Sequence, residues 1–194
     1  IGVLAPWQLA FLLVSLPGPL LALGLLAFRE PRRHEGVRAP TDGAPEFTAF
    51  LRERGLLFLL IAGGFSLVGV SLVAYLMWTP AFMVRRHGWD IGTVGLVYGS
   101  ILIVGCTSGI LIGSAWAERL LARGQRDAFL RVGLVGALTS LPFAIAAPFA
   151  PTGEWAMACL AAMALFYGLT QGMPAAALQA IAPNRVRART MALF

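Results

Sequence analysis

Glu118, Arg119, Arg123, Arg126 and Asp127 fall within ten positions of one another in the stretch GSAWAERLLARGQRDAF (113–129), the most charged part of an otherwise apolar chain. A carboxylate at a helix exit can accept from arginine and from the exposed N–H groups of a neighbouring helix's first turn. That chemistry suits an electrostatic latch, Gly113 to Arg126, on one side of a membrane. The same residues also suit a solvated turn with interfacial arginines.

A second set is neutral. Ser71, Tyr75 and Trp78 stand at i, i+4 and i+7, one helical stripe. Tyr167, Thr170, Gln171 and Pro174 share another, where Pro174 frees a carbonyl that something must satisfy. With Tyr98 these are the candidate residues of a cavity for a weakly polar or amphiphilic solute. Tyr75 and Trp78 equally fit an interfacial aromatic belt. Gly105, Gly109 and Gly113 repeat every four residues, the small-residue spacing that lets membrane helices approach closely.

Other chemistries lack their residues. Cys106 and Cys159 have no metal-ligand spacing and read as small packing residues; His34 and His87 are isolated and read as solvated. Clustered Asp, Glu or His for acid–base or metal catalysis is missing from every apolar segment, which disfavours an enzyme. No cofactor or metal is expected.

The elements that must carry these residues follow from composition. The chain is 58% hydrophobic and 12% charged, with mean hydropathy +0.78. A soluble domain carries about a quarter charged residues. Crossing a bilayer takes ~20 mainly apolar residues, and five windows qualify: 7–28, 56–79, 93–117, 129–149 and 155–181, with a sixth opening near Thr190. The expected fold is all-α, a polytopic helical membrane protein. The N-terminus shows no basic region or cleavage site, and both ends are expected to continue in a longer protein.

All fifteen basic residues are arginines, and thirteen fall in the first, third and fifth connectors, with only Arg85 and Arg86 opposite. The arginine-rich side is therefore expected to be cytoplasmic. Topology and anionic lipid account for this charge, so no nucleic-acid partner is expected. The long connector 29–55 separates the first span from four spans with short connectors, which are expected to pack as sequential neighbours.

The first span, WQLAFLLVSLPGPLLALGLLAFREPRR, resembles the sixth helix of the major facilitator superfamily, in particular its spinster-like branch. Trp7, Ala10, Phe11, Pro17, Gly18 and Arg29-Glu30-Pro31 carry the likeness; Gln8 stands where Arg is usual and Ser15 where Gly is usual. YLMWTPAFMVRRHGW resembles the outer end of the seventh helix and PNRVRARTMALF the entry to the eleventh. The opening charged stretch is similar to the superfamily's loop signature Gly-x-x-x-Asp-Arg-x-Gly-Arg-Arg, with Glu118 in the acidic place, Arg119, Arg123 and Arg126 in basic ones, and Ser114 and Leu121 in place of glycines.

The resemblance implies a partial major facilitator-type fold: 1–28 as the last helix of an N-terminal bundle, 29–55 as a cytoplasmic linker, and 56–194 as a C-terminal bundle of four helices and a truncated fifth. It implies a monomeric multi-pass transporter of the plasma membrane, the inner membrane in a bacterium, working by alternating access. The solute would be small, amphiphilic or lipid-like, of the lysolipid type, with protons as coupling ion. Other branches carry sugars, organic anions or drugs, and a non-transporting scaffold or receptor is the reading from another class. An intramembrane carboxylate is the usual proton-coupling device. Between 56–117 and 132–181 the charged residues are only Arg85, Arg86, Asp90 and Glu154, all in connectors. A coupling residue is thus expected in the other bundle.

Overall fold

A computed structural model of the chain describes residues 5–25, 43–125, 127–182 and 187–193. It forms two compact units, 1–40 and 41–194. The described residues are helices joined by turns, without a strand among them, as the apolar windows require.

In the first unit, α1 (Pro6–Ser15) and α2 (Pro17–Leu25) replace one continuous first span. Pro17 and Pro19 cannot donate to the carbonyls of Leu13 and Ser15, so the ladder is interrupted although Leu16 keeps helical dihedrals. Gln8 has a local use: its side-chain oxygen accepts from the Ala5 N–H at 2.8 Å and closes the helix N-terminus. Leucines, Phe11 and Val14 are exposed around this pair of helices, the pattern of a lipid-facing segment.

The second unit opens with α3, Gly43–His87, whose 45 residues run about 67 Å at 1.5 Å each. It begins well inside the predicted linker, so residues 43–55 are helical and continuous with the span. After Pro45, Phe47, Phe50 and Leu51 supply an i, i+3, i+4 face packed with Ala182. At its other end Gly88 takes φ +68°, Trp89 N–H reaches the Met83 carbonyl at 3.4 Å, and the helix stops.

Asp90 then caps α4 (Ile91–Ala122), accepting from Gly92 N–H at 2.8 Å and Thr93 N–H at 3.1 Å. Helix α5 (Ala128–Ala146) runs into a 3-10 turn, Ala147–Phe149. Thr152 caps α6 (Gly153–Gln171), which breaks at Gly172 into α7 (Met173–Ile181). Pro174 deprives the Thr170 carbonyl of its usual donor, and the Gly172 N–H takes that place. Helix α8 (Arg187–Leu193) follows. Among the described residues, four stretches are long and apolar enough to span a membrane: Phe47–His87, Ile91–Ala122, Ala128–Phe149 and Gly153–Ile181.

Packing departs from the sequential order expected. The most extensive interface joins α4 to α6, and the next joins α5 to α6. Glycine placement decides this. A Cβ at Gly109 would meet the Leu165 carbonyl and Gly168 Cα, and one at Gly113 would lie 2.9 Å from the Leu169 carbonyl. At Gly136 of α5 it would lie 2.8 Å from the Phe166 carbonyl. Backbones this close need glycine, so α6 becomes the centre of the unit, with α4 and α5 on either side.

A groove of apolar cavities and a charged turn

Helices α3 and α5 do not close on one another along their length. Three cavities lie between α3 and the neighbouring α5, 3-10 turn and α6. One, about 350 Å³, is lined by Leu60, Ile61, Gly64, Phe65 and Val68 of α3 and Leu130, Gly133, Leu134 and Ala137 of α5. The next, about 210 Å³, shares Val68 and Ala137 and adds Ser71, Tyr75, Ser140, Ala144, Met163 and Tyr167. The third, about 240 Å³, shares Tyr75 and reaches Trp78, Thr79, Phe82, Ala147, Pro148 and Leu160. Shared residues make these one groove that runs up the helix pair.

Its walls are hydrocarbon, with hydroxyls concentrated in the middle. Ser71 Oγ donates to its own helix at the Leu67 carbonyl, 3.0 Å, and Ser140 Oγ to the Ala137 carbonyl, 2.8 Å. Both oxygens keep lone pairs for a ligand's donor. Tyr75 Oη instead crosses the groove and donates to the Ala144 carbonyl at 2.6 Å. That carbonyl would ordinarily accept from the residue four places on, which is Pro148 and has no N–H. One proline thus creates the acceptor that ties α3 to α5.

The expected cavity residues separate into two groups. Ser71, Tyr75 and Tyr167 are brought together in the middle cavity, and Trp78 lines the next while 70% exposed. Thr170, 2% exposed, donates to the Tyr167 carbonyl at 2.7 Å and turns its methyl toward Gly136, which makes it part of the α5–α6 seam. Gln171 is exposed at the end of α6, outside these three cavities. Tyr98, 5% exposed, packs with Met83, Val94 and Leu160, its hydroxyl beside Thr79 without a hydrogen bond of ordinary geometry. Sequence reasoning placed nothing on α5. Ser140 and the Pro148-freed carbonyl were findable by the rule already applied to Pro174.

At the α4–α5 turn, Gly113 is packed on the Leu169 backbone, while Glu118, Arg119 and Arg123 are exposed. Arg126 lies outside the described residues. The carboxylate engaged with arginine is Asp127: Arg131 Nε donates to its Oδ2 at 2.6 Å, and Arg131 Nη1 reaches Gln125 Oε1 at 3.4 Å. The Arg131 hydrogen bond holds the Asp127 carboxyl below the usual carboxylate range. Glu154 is likewise lowered, first by the backbone N–H at its own position and then by Thr152, at the first turn of α6. Among the described residues Glu118 has no ion pair.

His87 is less free than an isolated loop histidine. It ends α3, its ring meets Phe82 edge-on at 5.2 Å, and its Nε2 is buried without a partner. Among the described residues no group of three His, Cys, Asp or Glu could hold a metal.

A profile described as Major Facilitator Superfamily matches residues 1–194. An "MFS-type efflux pump" of Mycolicibacterium smegmatis is 28% identical over 200 residues, which cover 97% of this chain and 44% of that protein. The chain therefore spans less than half the length of this relative. No solved structure matches it.

Proposed function

Because the chain belongs to the major facilitator superfamily, we propose that it is part of a secondary transporter working by alternating access, two bundles rocking about a site near mid-membrane. The observation that carries this reading to a solute is the groove between α3 and α5, apolar along its length with Ser71, Tyr75, Ser140 and Tyr167 at its middle. Ligand sites of this kind use mostly apolar walls and a few placed polar groups. The cargo is a small amphiphilic or lipid-like molecule, of the lysolipid type, with its polar end at the hydroxyls. Export fits the name of the mycobacterial relative. Protons are the coupling ion, and the titrating residue lies outside the described spans, which hold no carboxylate at their centres.

Gly113, Glu118, Arg119, Arg123 and Arg126 are assigned to a gate on the cytoplasmic side, acting when the bundles close. Glu118, Arg119 and Arg123, exposed in this unit, depend on a partner surface for any strong contact, since a solvated ion pair is worth only ~0–1 kcal/mol. The protein is a monomeric, multi-pass component of the plasma membrane, and of the inner membrane in a bacterium.

Uptake of a fluorescent lysolipid into energised inverted vesicles, with and without a protonophore, tests the reading. Uptake that collapses with the proton gradient and weakens severalfold in Ser140→Val and Tyr167→Phe is expected. Normal uptake in both variants would remove the groove as the site. No uptake of any amphiphile, sugar, organic anion or drug would favour the scaffold or receptor reading instead.

A further inference from the structure

Tyr75 belongs to two cavities at once. It lines one with Ser71, Ser140 and Tyr167, and the other with Trp78, Phe82 and Pro148. The adjoining spaces, about 210 and 240 Å³, meet at this residue. A hydrogen bond from its hydroxyl, 2.6 Å to the Ala144 carbonyl, spans the groove at this level. Its acceptor exists because Pro148 supplies no N–H, and the helices on both sides are weakened nearby: Pro80 interrupts the α3 ladder and Pro142 that of α5.

We propose that Tyr75 is a movable partition in the α3–α5 groove, held shut by the carbonyl that Pro148 leaves without a helical donor, and that releasing this bond joins the two cavities into one passage. Closed, the partition keeps the hydroxyl-lined middle cavity apart from the cleft at Trp78. Open, it exposes the Ala144 carbonyl to whatever enters. Any solute N–H or O–H can then take the place of the tyrosine hydroxyl, so release would cost less for a donor-bearing solute than for a purely apolar one.

Two substitutions release the bond by opposite chemistry. Tyr75→Phe removes the donor and keeps the ring. Pro148→Ala keeps the tyrosine and gives α5 an N–H that competes for the same carbonyl. In a background carrying Cys106→Ala and Cys159→Ala, Ser140→Cys places a thiol in the middle cavity and Trp78→Cys one in the cleft. A membrane-impermeant maleimide is added from the side that carries the α3–α4 loop. Both release variants should raise the labelling rate at position 140 at least tenfold and leave position 78 unchanged, and combining them should add nothing further.

A rate at 140 unchanged in either variant, for protein that remains monodisperse, overturns the partition. So does an equal rise at 78, which would mean general loosening. Pro148→Ala adds a backbone hydrogen bond, so it tests the idea even where Tyr75→Phe misfolds. Labelling needs no transport, so the result stands apart from the functional reading above.

Discussion

Replacing Gly109 by alanine puts a methyl between two backbones. Its Cβ would meet the Leu165 carbonyl and sit 2.7 Å from Gly168 Cα, against an ordinary contact distance of 3.4–4 Å. The shortfall from 3.4 Å is about 0.7 Å, and no side chain can rotate to absorb it, so α4 and α6 must part. Forced overpacking of this kind costs ~1–3 kcal/mol. Gly63→Ala is the internal reference, since nothing lies within 4 Å of its Cβ, and both variants share the gain of about 1 kcal/mol in helix propensity. At roughly 2–4 °C per kcal/mol, a difference of ~2 kcal/mol separates their Tm values by ~4–8 °C. Thermal unfolding of each variant in the same detergent, followed by size-exclusion with tryptophan fluorescence, measures it. Equal Tm values for Gly109→Ala and Gly63→Ala would refute the close-approach account of the α4–α6 seam.

The remaining expectations are smaller. Tyr98→Phe removes a buried hydroxyl that lacks a well-formed hydrogen bond, so stability should hold or rise by up to about 1 kcal/mol; a Tm clearly below the parent's would show that Thr79 does bind it. The Asp127 carboxyl is depressed by Arg131, so the pair's contribution is full above the ordinary aspartate range and is lost as pH falls through the lowered value. Carbon-detected NMR of labelled Asp127 should show that midpoint moving back up in Arg131→Gln. Reporters fused after Arg38 or Arg126 should read cytoplasmic and those near Gly88 or Gly153 external, as the arginine distribution requires; a consistently inverted pattern sinks the orientation.

Composition and window length alone determined that this is an all-helical, multi-spanning chain, because backbone in hydrocarbon must satisfy itself within each segment. The periodic glycines of 105–113 likewise announced a close contact. Their partner was not legible: short connectors favour sequential packing, but the matching Gly168 and Ala164 lie on α6, and only the fold shows which small-residue stripes face each other. The start of α3 at Gly43 depended on Phe50 finding Ala182, a contact far along the chain. Helical spacing placed Ser71, Tyr75 and Trp78 on one face, yet it assigned Thr170 to that same cavity when Gly136 draws it into a seam. A stripe says which residues share a direction; the neighbouring helix decides whether that direction is a cavity, a seam or lipid. The hydrogen bond from Tyr75 to Ala144 shows the division most plainly. Pro148 determines from sequence that a carbonyl is left free, and tertiary packing alone determines which hydroxyl, on which helix, comes to meet it.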